Sequence, residues 1–209
     1  MRIARRINSS ASEDRLSRLI EDRMRPGADK ALIDRRIWDL FGETWCVMFT
    51  DLVGFSRAVE TYGITHFLQS IYVAETELVP LIDEHDGILL KSEGDSLLVI
   101  FRNPDKALDC AVAMQRHLHR FNAGSPDADD VLLCVGLGYG HLLKIGDVDV
   151  FGAQVNAASK LGEDTAKAQE ILVTDGFKDA LQSPRYEFVA IDVVPPGAKA
   201  SFKVLYDLD

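Results

Sequence analysis

Cysteine is scarce in this chain: Cys46, Cys110 and Cys134 are the only three in 209 residues. An odd number cannot form a fully paired disulfide framework, and the spacing matches no metal-binding pattern. Each sits in an apolar run, so buried free thiols are expected, as suits a reducing cytoplasm. Long apolar runs are missing as well. No stretch reaches the roughly 18 residues of a membrane-spanning helix. Met1-Arg-Ile-Ala-Arg-Arg6 leads into no apolar segment, so a secretory leader is not expected. There is no internal repeat, no Gly-x-Ser-x-Gly elbow and no Walker loop. With 7 prolines and 15 glycines, collagen-like and low-complexity classes fall away.

Positive charge is also short. The chain has 23 Lys/Arg against 33 Asp/Glu, a net −10. An acidic body argues against nonspecific nucleic-acid binding, which needs a basic footprint. The deficit is uneven. Residues 1–40 hold ten basic and seven acidic side chains, a local +3, and residues 41–209 carry −13. We therefore expect a helical extension over residues 1–42 and a separate body over 43–209. What is present is ordinary for a soluble globular protein: 47% hydrophobic and 27% charged residues.

Helical periodicity runs through residues 12–40. Ser12 is the N-cap candidate, with acids behind it. Leu16, Leu19, Ile20 and Met24 recur at helical spacing, and Pro26-Gly27 break the pattern. Leu32, Ile33, Ile37, Trp38 and Phe41 resume it. So short an amphipathic pair cannot bury its face alone and must pack on the body or on a partner helix. In the body, residues 45–49 read as a strand, 51–54 as a turn, and 55–86 as a helix interrupted near Gly63. Residues 88–91 and 97–101 read as strands joined by the hairpin loop Ser92-Glu-Gly-Asp-Ser96. A helix over 104–121, a loop over 122–130, a strand over 131–139 and a helix over 155–163 follow. The last strands are 171–174, 186–191 and 202–206. The order β-α-β-β-α-β with C-terminal additions is an α+β, ferredoxin-like plan with helices on one face.

Two acids stand at element ends. Asp51 follows the first strand and Asp95 sits in the hairpin between the second and third. In this topology the first and third strands are antiparallel neighbours, so the two carboxylates should lie side by side. Adjacent carboxylates repel unless a cation sits between them, and hard oxygen ligands suit Mg²⁺ or Mn²⁺. Taken singly, each acid equally fits a turn or capping role. Val53, Gly54 and Phe55 open a helix whose outward N–H groups would suit a phosphate. His117 and His119 do not share a helix face and are expected to be solvated. His66, His85 and His141 have no partner at ligand spacing. A receiver domain with Asp51 as phospho-acceptor needs alternating β-α units, and the Lys91–Asp95 hairpin joins two strands directly.

Three segments sharpen this picture: Phe49-Thr-Asp-Leu-Val-Gly-Phe-Ser56, Lys91-Ser-Glu-Gly-Asp95 and Asp149-Val-Phe-Gly-Ala-Gln-Val-Asn-Ala-Ala-Ser-Lys160. In order and spacing they resemble the three signatures of class III nucleotidyl cyclases, over roughly residues 43–207. The resemblance implies a ferredoxin-like core, a head-to-tail homodimer with sites at the subunit interface, and conversion of ATP or GTP to the 3′,5′-cyclic nucleotide and pyrophosphate. It implies two Mg²⁺ or Mn²⁺ ions on Asp51, Asp95 and the Leu52 carbonyl. Lys91 and Asp149 match the base-reading pair. Adenine offers an N6 donor and an N1 acceptor, which an accepting Asp and a donating Lys satisfy. Guanylyl cyclases carry Glu and Cys at these positions, so the chain resembles an adenylate cyclase acting on ATP. Asn156 and Lys160, i and i+4 on one helix face, match the Asn and Arg that serve ribose and α-phosphate. Lysine keeps the charge and loses the planar fork, so slower chemistry is expected. Lys199 is a candidate phosphate lysine. The segment from Gly138 to Asp149 is shorter than the family's usual dimer-clasping excursion. A catalytically weak or inactive nucleotide-binding module of the same fold is therefore the alternative.

Overall fold

Ser10 starts the first helix, α1 (Ala11–Met24), by accepting the Glu13 N–H, and Glu13 accepts the Ser10 N–H at 2.7 Å. This closed capping box moves the cap from Ser12 to Ser10, because only Ser10 has a glutamate three positions on. Asp29 caps α2 (Lys30–Phe41) through the Leu32 N–H. The computed structural model describes residues 10–53, 55–124, 130–183 and 185–209, with the side chains of residues 55–58 outside the description.

The body follows as β1 (Gly42–Leu52), α3 (Phe55–Tyr62), α4 (Ile64–Glu84), β2 (Ile88–Glu93), β3 (Ser96–Phe101), α5 (Pro104–Asn122), β4 (Leu133–Ile145), β5 (Asp149–Phe151), α6 (Ala153–Gly162), β6 (Ile171–Thr174), α7 (Asp175–Ala180), β7 (Glu187–Ile191) and β8 (Ser201–Leu205). Among the described residues the strands form one sheet in the order β2-β3-β1-β4-β6-β8-β7, with β5 paired to β4. The β2-β3-β1-β4 half, antiparallel throughout, is the expected ferredoxin-like arrangement. β6 adds to it in parallel with β4, and β8 and β7 complete the edge.

Strand alternation sends side chains to two cores. Cys46, Met48, Val99 and Phe101 meet Leu78 and Ile82 of α4, Leu108 and Met114 of α5, and Phe177 of α7. Trp45, Val47, Leu98 and Ile100 face the other way and pack with Val150 of β5 and Ala158 of α6. Helices thus cover both faces, not one. The central strands are apolar on both sides, so the second face also requires a cover. A third core joins Leu19, Ile33, Ile37 and Phe41 of the N-terminal helices to Ile145 and Leu143 of β4. The extension docks on its own body. Ile20, Met24, Leu32 and Trp38, expected in the buried stripe, stay exposed.

β1 and β4 are longer than expected. Their ladder runs unbroken from Gly42 opposite Leu143 to Leu52 opposite Leu133. Polar and glycine positions hide this length from a hydrophobicity reading. The glycines have a second use. A Cβ on Gly136 of β4 would lie 2.1 Å from the Ala158 carbonyl oxygen, so α6 rests directly on the sheet backbone. All three cysteines are free and buried, and burial pushes the thiols of Cys110 and Cys134 up to about 12. Among the described residues no helix is long and apolar enough to cross a membrane.

Candidate active site

β1, β2 and β5 deliver Asp51, Lys91 and Asp149 to the face that α6 covers. The delivery of Lys91 depends on a defect. β2 pairs regularly with β3 up to Leu89 opposite Val99, and the register then shifts so that Lys91 stands opposite Leu98. Strict alternation would send Leu89 and Lys91 to the same face. The extra residue, Leu90, re-aims Lys91 to the other side. There its Nζ meets Asp149 Oδ2 at 2.7 Å. Glu93 stands 3.8 Å from the same ammonium. Asp149 is held by the hairpin from β4 to β5, a tight turn at Gly146–Val148, and its Oδ1 accepts the Val150 N–H. The short 138–149 segment is therefore a compact hairpin. The ion pair borders a cavity of about 150 Å³ walled by Phe49, Leu98, Val150 and Val155, with Ser96 and Glu163 at its edge.

Asp51 is the penultimate residue of β1 and Asp95 occupies the two-residue β2–β3 turn, where Gly94 takes φ +61°. Asp95 is close enough for its charge to act on Asp51. Asp51 is pushed up to about 6, first by burial, then by the charges of Asp95 and of Glu163. Ser96 Oγ lies 3.4 Å from Asp51 Oδ1 and 3.2 Å from Glu163 Oε1, and it bridges the two. Leu52 forms the last rung of the β1–β4 ladder with its side chain buried. Among the described residues no three His, Cys, Asp or Glu side chains are grouped to hold one ion together. The set Asp51, Asp95 and the Leu52 carbonyl is all oxygen, which suits Mg²⁺ or Mn²⁺. Burial first, and the repulsion from Asp95 and Glu163 second, raise Asp51, and a divalent cation would offset both.

One expected phosphate contact fails. The Val53 N–H does not face outward but donates to the Leu132 carbonyl at 2.9 Å, because the β1–β4 pairing continues one residue past Leu52. Gly54 lies outside the described residues. Phe55 begins α3, and its side chain is likewise outside them.

Asn156 and Lys160 share the exposed face of α6, opposite buried Ala157, Ala158 and Leu161. Asn156 Nδ2 donates to the Pro196 carbonyl at 3.4 Å, and Lys160 pairs with Asp164. That neighbour raises the Lys160 pKa above its ordinary value. Gln154 ties the same loop down by donating to the Gly197 carbonyl at 2.7 Å. Lys199, at the end of this loop, is exposed, and its N–H donates to Asp175. His117 is only partly exposed, and its Nε2 lies 2.6 Å from Glu77 Oε2 between α5 and α4. Ser96 and Glu163 are the site residues that sequence reasoning missed. The signal for Glu163 was its spacing. At i+7 from Asn156 it shares the face of Asn156 and Lys160.

The sheet order, two acids at adjoining strand ends and a Lys–Asp pair across the sheet define a cyclase-type α+β domain. The catalytic-domain family of adenylate and guanylate cyclases matches residues 42–204, and the chain belongs to it. A serine/threonine-protein kinase, pkn2, from Myxococcus xanthus is 33% identical over 62% of this chain. A putative adenylate cyclase 3 from Rhizobium meliloti is 32% identical over 64%. The chain spans only 15% and 22% of those two proteins. Among solved structures, a bacterial light-regulated adenylyl cyclase superposes with a TM-score of 0.70 at 19% identity, over 94% of this chain and 64% of that one. That likeness concerns the fold.

Proposed function

We propose that this domain is an adenylate cyclase of the cytoplasm. It acts as a homodimer and converts ATP to 3′,5′-cyclic AMP and pyrophosphate. The observation that carries the reading is the Lys91–Asp149 pair at 2.7 Å beside an apolar cavity. Its donor and acceptor complement N1 and N6 of adenine, and a guanine edge would leave both unmatched. Asp51, Asp95 and the Leu52 carbonyl would hold two Mg²⁺ or Mn²⁺ ions. When bound, such ions favour loss of the ribose 3′-OH proton and balance charge at the leaving pyrophosphate. Asn156 orients the ribose. Lys160 stabilises charge growing on the α-phosphate, and Lys199 adds a phosphate contact from the adjoining loop. Each site combines Asp51 and Asp95 of one subunit with Lys91, Asp149, Asn156 and Lys160 of the other.

A second reading, a weak or inactive nucleotide-binding module, draws on Lys160. Its ammonium is engaged by Asp164, and lysine has no bidentate fork. The two readings part in one assay. Purified protein is given ATP or GTP with Mg²⁺ or Mn²⁺, and products are separated by chromatography. The first reading expects cyclic AMP well in excess of cyclic GTP-derived product. ATP binding with no cyclic product, from wild type and from Lys160→Arg alike, supports the second.

A further inference from the structure

Glu163 is outside the three signature segments, yet its carboxylate is turned toward Asp51 near the end of β1. It follows the last turn of α6, the helix that carries Asn156 and Lys160. One carboxylate oxygen accepts from Ser159 and the other stands 3.2 Å from Ser96 Oγ. That hydroxyl is also 3.4 Å from Asp51. Ser96 has a single proton to donate, so the two carboxylates share one donor. Glu163 is thus coupled to Asp51 in two ways, by its charge and through the shared hydroxyl. It is not grouped with Asp51 and Asp95 as a third direct ligand.

We propose that Glu163 is a positioning residue for the divalent-cation site. It supplies negative charge from beyond the ligands and, through Ser96, holds Asp51 in place. The link also ties α6, which would serve one active site of a dimer, to the acids that would serve the other. This inference rests on the cation role of Asp51 and Asp95 given above.

Mn²⁺ binding to the full chain, followed by electron paramagnetic resonance of the free ion, tests it. Glu163→Gln keeps an oxygen acceptor for Ser96 and removes the charge. It should weaken Mn²⁺ binding by roughly three- to tenfold, the size of one screened unit charge near a divalent ion in wet surroundings. Glu163→Asp should retain most of the affinity. In chelator, Glu163→Gln should melt at a temperature equal to or above wild type, because one of three crowded charges is gone. A purely structural glutamate would instead lower the melting temperature and leave Mn²⁺ affinity unchanged. Asp95→Asn is the control. If Asp95→Asn weakens binding and Glu163→Gln stays within a factor of about two of wild type, the inference on Glu163 is overturned and the metal site stands. If Asp95→Asn also binds like wild type, the metal assignment itself fails.

Discussion

Lys91 reaches Asp149 because Leu90 occupies an extra position in β2, and this one-residue shift forms the pair to which the proposed function gives the base. Removing the acceptor should show it. Asp149→Ala is expected to lower kcat/KM for ATP by about 10–150-fold, the range for losing a charge-assisted hydrogen bond. Steady-state kinetics in Mn²⁺ measure this. Asp51 makes a different prediction. Its folded pKa of about 6 lies above the ordinary carboxylate value, owing to burial and then to Asp95 and Glu163. The metal-free folded state therefore holds that proton more tightly than the unfolded state. The stability contributed by this group is present at low pH and is lost as pH rises through about 4 to 6. Asp51→Asn should then be more stable than wild type at pH 7 in chelator, by about 1–2 kcal/mol once solvent screening of this half-buried group is allowed for, and the difference should vanish near pH 4. Urea unfolding across that pH range gives the answer.

Elements hold these residues in place through close backbone packing as much as through side chains. A Cβ on Gly162 would stand 2.8 Å from the Phe49 carbonyl oxygen, and one on Gly136 would meet α6 at 2.1 Å. Gly136→Ala should push α6 off the sheet, cost about 3 kcal/mol in urea unfolding, and displace Asn156 and Lys160 with it. Leu19 of α1 is 1% exposed in the core shared with Ile145. Leu19→Ala should cost about 2–5 kcal/mol, and a lower urea midpoint for the whole chain would show that the extension and body unfold together. Much of this was legible in the sequence. Helix breaks at Pro26-Gly27 and Gly63, the hairpin around Gly94 and the adjacency of Asp51 and Asp95 all follow from turn chemistry and topology. What was hidden depends on tertiary context. Backbone pairing carried β1 and β4 through polar and glycine positions, the bulge at Leu90 left no compositional mark, and the Val53 N–H was claimed by Leu132, just ahead of β4 and far off in sequence. α7, six residues capped by Thr174, is too short for periodicity to reveal.

On the scale of the whole molecule, the charge split is not what docks the N-terminal helices. The +3 of residues 1–40 comes from Arg2, Arg5 and Arg6, outside the described residues; α1, α2 and the link between them hold seven basic and seven acidic side chains and dock on the acidic body through an apolar core. Under the proposed function, a polyanionic substrate would meet this acidic body where Lys91, Lys160 and Lys199 and the proposed cations supply local positive potential. Net charge therefore speaks to solubility and not to the substrate. The central claim is an ATP-cyclising homodimer whose sites draw on both subunits. Mixing two disabled variants tests it most directly. Asp51→Ala and Asn156→Ala are each expected to make almost no cyclic AMP. Unfolded, mixed in equal amounts and refolded together, they should regain about a quarter of wild-type activity, since half the dimers are mixed and each mixed dimer holds one intact site of two. No recovery on mixing, or cyclic AMP from either variant alone at the wild-type rate, would contradict the account.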